Sequence, residues 1–293
     1  MNKTRVINKS KVVALATDGS SYTDGAVQET IFLAQACNAK IVVFNVIAID
    51  SALATAVHSS AAAMRRETKE YTDNIKKLAS DQDLSCEVFI EESYQPDKTI
   101  VELAYKHKAD ILIMGRHGKQ GLLKLLVGSM TSKVIGHGFP KVLVVPKDFI
   151  IKGDKVLLAV DGSQASEAAL DEIIGMGIHC TNLKEVYAVS VTPTESGLEE
   201  AQALVEAVCT KGQEQEMSVK FHPISLVGKP AADIIARIAA EKEVDMILIG
   251  GHGKGLGKLL MGHVTEKVIG KAHCAVLVIE KKRDEASDAE DNK

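Results

Sequence analysis

The stretch VVALATDGSSYTDGA, residues 12–26, decides the architecture, because the chain writes it twice. It returns as VLLAVDGSQASEAA at 156–169. In both places an unbroken aliphatic run gives way to Asp-Gly-Ser and then to helix formers. An aliphatic run without polar alternation suits a strand covered on both faces, as in parallel sheets. Strands alternating with helices build right-handed βαβ units and a doubly wound sheet.

Two more motifs recur in the same order. ADILIMGRHGK (109–119) returns as VDMILIGGHGK (244–254), and TSKVIGHGFPKVLVVPK (131–147) returns as TEKVIGKAHCAVLVIEK (265–281). The second copy is about eight residues shorter internally, since Asp18 and Asp161 lie 143 residues apart but Gly115 and Gly250 only 135. Two homologous domains of ordinary size follow. They are expected at 1–149 and 150–281, with a charged, disordered tail at 282–293. The joint falls in PKDFIIKGDK, 146–155, which mixes Pro, Gly and charge.

Within the first half, KVVALAT, KIVVFNVI, SCEVFIEES, DILIMG and KVLVVP read as five strands. Between them lie helical stretches, such as the one placing Val27, Ile31 and Ala34 on one face. The expected fold is therefore α/β: two tandem, doubly wound, five-stranded parallel sheets, whose order, if it is 3-2-1-4-5, reverses between strands 1 and 4. The last strands, KVLVVP and AVLVIE, are apolar and would leave exposed edges, which invite aggregation. The halves are thus expected to pack as a pseudo-symmetric pair. That contact can be made within one molecule or between two, as a homodimer.

Bulk properties narrow the function. A net charge of −4 argues against a dedicated nucleic-acid binder. No apolar run approaches ~18 residues, so no membrane span is expected. MNKTRVINKSK lacks the apolar core of a signal peptide, which points to a cytoplasmic protein. The five cysteines are odd in number and form no C-x-x-C, so they read as reduced thiols and not as metal ligands.

In open parallel sheets, ligands sit beyond the carboxyl ends of strands where strand order reverses. Here that point lies between strand 1, ending in ATDGS, and strand 4, ending in MGRHG. The stretch after strand 4, MGRHGKQGLLKLLVGS (114–129), holds four glycines and ends in Gly-Ser. Gly115 and Gly118 can present bare backbone N–H groups to a ligand. Gly128-Ser129 opens a short helix, whose start suits phosphate. The stretch matches neither the Walker A loop nor the Rossmann glycine fingerprint.

The spacing G-x2-G-x9-G-S, here Gly115, Gly118, Gly128 and Ser129, resembles the nucleotide-binding signature of the universal stress protein family. ALATDGS and GSMTSKVIGHGFPKVLVVP are similar to that family too. The likeness covers roughly 10–147 and 154–281. It implies an adenine-nucleotide alpha-hydrolase-like fold and an adenine-nucleotide ligand, ATP or AMP, with or without Mg²⁺. It further implies that Ala16 lines the base pocket, Asp18 accepts from a ribose hydroxyl, and Val46 meets adenine through its backbone. Met114, Gly115 and Gly118 would wrap ribose and phosphates. Gly128, Ser129, Met130 and Thr131 would hold phosphates at the helix start. A second, altered site would use Asp161, Val189, Gly250, Gly253, Gly262 and His263. There only eight residues separate Gly253 from Gly262, and His263 replaces the serine.

Plainer readings stand beside these. Asp18 can simply organise the turn after strand 1. Gly115 and Gly118 can be turn glycines, and Ser129 an N-cap. Arg116 sits where it can help with phosphates, but Gly251 takes its place in the second copy. His117 and His252 read as loop residues. No catalytic metal site or Ser-His-Asp arrangement is legible, so binding is favoured over turnover. The alternatives are a slow hydrolase or an assembly scaffold that binds no nucleotide. The S-G-G-x-D-S loop of the related α-phosphate enzymes is absent after either first strand.

Overall fold

A computed structural model describes residues 10–49, 58–117, 127–179, 182–215, 218–252 and 261–280. The expected tail, Gly118 and Gly253 lie outside these residues. The first half runs β1 (Val12–Ala16), a 3₁₀ turn (Ser21–Thr23), α1 (Asp24–Cys37), β2 (Lys40–Ala48), α2 (His58–Ser80), β3 (Cys86–Ser93), α3 (Pro96–Lys106), β4 (Ile111–Gly115), α4 (Ser129–Gly136) and β5 (Lys141–Val145). The second half repeats it as β6 (Lys155–Ala159), α5 (Gln164–His179), β7 (Glu185–Thr192), a 3₁₀ turn (Glu195–Gly197), α6 (Leu198–Gln213), β8 (Lys220–Val227), α7 (Ala231–Glu241), β9 (Met246–Gly250), α8 (His263–Lys271) and β10 (Ala275–Ile279).

Local chemistry explains several boundaries. Asn38 ends α1 in the left-handed conformation, φ 54°, which Asn tolerates better than most residues. Pro96 opens α3, where its missing N–H costs nothing. Along β1, Val13 and Leu15 enter one buried cluster with α1 and α2, while Ala14 and Ala16 enter another with α3 and α4. That two-sided burial is what the aliphatic run required. Among the described residues, no helix is long and apolar enough to cross a membrane.

The strands form one sheet of ten, in the order β3-β2-β1-β4-β5-β10-β9-β6-β7-β8. Each half keeps the parallel order 3-2-1-4-5. The halves meet where β5 and β10 pair antiparallel, setting Val144 opposite Val276 and Leu143 opposite Leu277. Both leucines are fully buried. The two expected sheets are thus fused into one, because each apolar edge finds its partner in the same chain. Fragments 1–149 and 150–281, expressed apart, are expected to associate with each other or with themselves through this seam. Two stable monomers in size-exclusion chromatography would contradict that.

Carboxylates tie each unit shut below the sheet. Asp110, just before β4, accepts from the N–H groups of Lys11 (2.7 Å) and Val12 (3.0 Å). Its counterpart Asp245, just before β9, accepts from Gly153 N–H at 2.8 Å. The segment joining the domains is held from the other side too, since Glu29 of α1 accepts from Ile151 N–H at 3.3 Å.

Candidate functional site

The carboxyl ends of β1 and β4 lie side by side, with Ala16 in register with Met114. Both are buried on the sheet face that carries α3 and α4, and Val46, half-buried near the end of β2, packs against the same cluster. Ala16 and Val46, assigned to the base, therefore share one face with Met114, assigned to the ribose and phosphates. Asp18 follows β1, and its Oδ1 accepts from Ser20 N–H at 2.9 Å. The turn-organising role is therefore real. Gly19 takes φ +76°, a conformation L side chains avoid. Thr17, Thr23 and the Tyr71 hydroxyl close the turn from the other face in a cluster of 2.9–3.2 Å contacts.

Gly115 has a packing reason to be glycine. A Cβ there would come within 2.9 Å of Tyr22 O and 3.2 Å of Thr23 Cα. Its carbonyl accepts from the Thr131 hydroxyl at 3.0 Å, so that buried side chain is already committed. Gly128 N–H donates to Arg116 O at 2.8 Å, which hangs the start of α4 from the end of β4. Gly128 is then the N-cap, and α4 carries no side-chain cap. An α-helix leaves its first N–H groups without intrahelical acceptors. Here they belong to Ser129, Met130 and Thr131, with Ser129 exposed and Met130 half-buried.

Arg116 does something other than the expected help with phosphate. Its Nη2 donates across the seam to Ala272 O (2.5 Å) and Cys274 O (3.2 Å) of the second domain. Its Nε is buried without a partner among the described residues, and burial lowers its pKa. His117 lies edge-on to Tyr22 at 6.4 Å, and burial followed by the Arg116 charge lowers its pKa.

The second crevice repeats the scaffold. Asp161 Oδ1 accepts from Ser163 N–H at 2.9 Å, and Gly162 has φ +72°. A Cβ on Gly250 would come within 2.8 Å of Ala165 Cβ, and the Gly250 carbonyl accepts from Thr265 Oγ1 at 2.7 Å. Gly262 N–H donates to Gly251 O at 2.8 Å and caps α8, whose first residue is the exposed His263. One assignment shifts. Val189 pairs with Ala159 as Phe44 pairs with Ala16, so Val191 stands where Val46 stands. Ala159 and Val189 lie 30 residues apart where Ala16 and Phe44 lie 28 apart, and counting from Asp161 passes over the two extra residues.

These features define the class: tandem α/β units of the adenine-nucleotide alpha-hydrolase-like type, each with its first and fourth strands side by side where strand order reverses. The model of the universal stress protein family matches residues 9–146 and again 153–280. The chain belongs to the universal stress protein family and carries two of its domains in tandem. It is 34% identical over 146 residues to a universal stress protein of Methanocaldococcus jannaschii, covering 45% of this chain and 84% of that one. The fold is similar to the crystal structure of a universal stress protein from Archaeoglobus fulgidus, with TM-score 0.72 at 19% identity over 93% of this chain and 99% of that one. Some members of the family bind adenine nucleotides. One universal stress protein was crystallised in complex with cAMP, and it matches 43% of this chain and 96% of its own length at 22% identity and TM-score 0.36.

Proposed function

We propose that the first domain binds an adenine nucleotide, ATP or AMP, and that the protein acts through occupancy of that site and not through turnover. The observation that carries this reading is the start of α4. It is uncapped by any side chain and hung from the end of β4. Unpaired N–H groups and the positive end of the helix dipole favour a phosphate. The dipole alone is worth only about 0.3–2 kcal/mol, so several donors must act together. Each well-made bond to a charged acceptor adds roughly 1.5–3 kcal/mol.

Ala16 and Val46 then supply the apolar side of a base pocket, and Asp18 faces the ribose. Met114, Gly115 and Gly118 line the ribose and phosphates, and Gly128, Ser129, Met130 and the Thr131 backbone take the phosphates. The second domain keeps the scaffold but grips phosphate less well. Hydrolysis is slow, far below the enzyme median of ~10 s⁻¹, because among the described residues no cluster of His, Cys, Asp and Glu is placed to hold a catalytic metal. A cytoplasmic protein that signals nucleotide level to a partner fits this reading.

Calorimetric titration tests it. Gly128 has φ −60° and ψ 141°, which valine adopts without strain, so Gly128→Val adds bulk at the cradle and leaves the backbone alone. ATP is expected to bind the wild type and to bind Gly128→Val at least tenfold more weakly. Absence of binding to ATP and AMP, or equal binding to both proteins, would overturn the proposal.

A further inference from the structure

We infer that Glu280 bars phosphate from the crevice of the second domain, making it the residue that sets the two sites apart. This rests on the reading that phosphate belongs at the helix start. Glu280 follows β10 directly, and its backbone N–H is fixed by Pro140 O at 2.9 Å. Its side chain turns back over the end of β9. A Cβ on Gly251 would run into the Glu280 carboxylate, so glycine there makes room for it. The carboxylate is pinned by His252 Nδ1, 2.5 Å away, and both side chains are largely buried, 12% and 15% exposed.

Gly251 is also the residue from which α8 hangs, through Gly262 N–H to Gly251 O. The carboxylate therefore lies against the anchor of the very helix start that would cradle phosphate. In the first domain the matching positions hold Arg116, His117 and Pro146. Arg116 sends its guanidinium across the seam to Ala272 O and Cys274 O, whereas Glu280 keeps its carboxylate over Gly251 in its own domain. A phosphate at α8 would meet like charge or would have to strip His252 from Glu280. Among the described residues the buried His252 Nε2 has no partner, so none of them gives the imidazole a second anchor. Burial, the largest influence, raises the Glu280 pKa, with His252 opposing it. That is the mark of a carboxyl held away from water. Nearby like charge disfavours a charged ligand more strongly in such a place than at an open surface.

The experiment uses the full chain and ATP at pH 8. Hydrogen exchange reads the two helix starts separately, at amides 129–132 and 262–266. Glu280→Gln keeps the shape that Gly251 accommodates and removes the charge; Glu280→Ser removes the charge and the bulk. Circular dichroism shows whether each variant folds. ATP is expected to leave 262–266 unprotected in the wild type. In at least one folded variant it should protect them, with a second binding equivalent at least tenfold tighter than the wild-type second domain shows. Protection of 262–266 in the wild type, or none in both folded variants, overturns the inference. Protection at 129–132 reports on the proposed first site alone. Its absence beside a gain at 262–266 would refute the proposed function and leave this inference standing.

Discussion

Replacing Gly25 by alanine is expected to destabilise the protein by about 3 kcal/mol, although helix propensity alone predicts a gain. Gly25 lies in the first turn of α1, where alanine is the better helix former by roughly 0.5–1 kcal/mol. A Cβ at this position would strike Pro146 O and stand 2.7 Å from Lys147 O and 3.1 Å from Lys147 C. Those atoms are backbone, at the start of the segment between the domains. That segment is held by Phe149 N–H to Pro146 O, by Glu29 at Ile151 and by Asp245 at Gly153. It cannot yield as a flexible side chain end would. Overpacking typically costs 1–3 kcal/mol, and a backbone neighbour places this case at the top of that range or above. Urea unfolding midpoints would show it directly. A variant as stable as the wild type would mean that the joining segment moves aside freely.

The repeat exposed the fold because continuous aliphatic runs have few alternatives to a strand covered on both faces. The order 3-2-1-4-5 was one of several that this alternation allows, and the sheet adopts it. The fusion into ten strands was half legible: KVLVVP and AVLVIE announced apolar edges, but an edge does not name its partner. Val189 was matched to Val46 because the motifs flanking it carry no trace of two extra residues in a featureless connection. Arg116 was placed among the phosphates by its glycine neighbours, yet its acceptors, Ala272 O and Cys274 O, lie 156 and 158 residues away. No local pattern encodes a contact of that span. Glu280 was visible as an acid where the first copy has Pro146. Its meaning depends on the side chain folding over Gly251, which only three-dimensional packing reveals. Gly115 illustrates a different limit. Its spacing signals a ligand and its crowding against Tyr22 signals packing, and the two causes select the same residue.

Glu29→Gln is expected to stabilise the protein at pH 8 by about 3 kcal/mol. The reason is a broken pseudo-symmetry. In the second domain the equivalent acid, Glu172, pairs with Lys141 at 2.5 Å. The position in β10 that matches Lys141 is Ala275, fully buried, so Glu29 lacks the corresponding lysine. Glu29 is 3% exposed, and burial pushes its carboxyl up from 4.5 to about 7. The Ile151 N–H opposes that rise, and Asp245 adds to it. An acid whose pKa is higher folded than unfolded binds its proton more tightly in the native state. Its contribution to stability is then fully present below about pH 4.5 and is lost as pH rises through about 7. The shift converts to about 3 kcal/mol. Asp245, raised mainly by burial from 3.8 to about 6, slopes the same way over a lower range. Glutamine keeps an oxygen for Ile151 N–H and never ionises. The gain from Glu29→Gln should therefore be largest at pH 8 and shrink below about 1 kcal/mol at pH 5. The variant should lose the Glu29 part of the slope and keep the part that Asp245 contributes. Urea unfolding of both proteins at pH 5 and pH 8 measures all four values. Wild-type stability that holds level or rises between those pH values, or equal stability of the two proteins at pH 8, would show that Glu29 is not a buried acid held against its charge.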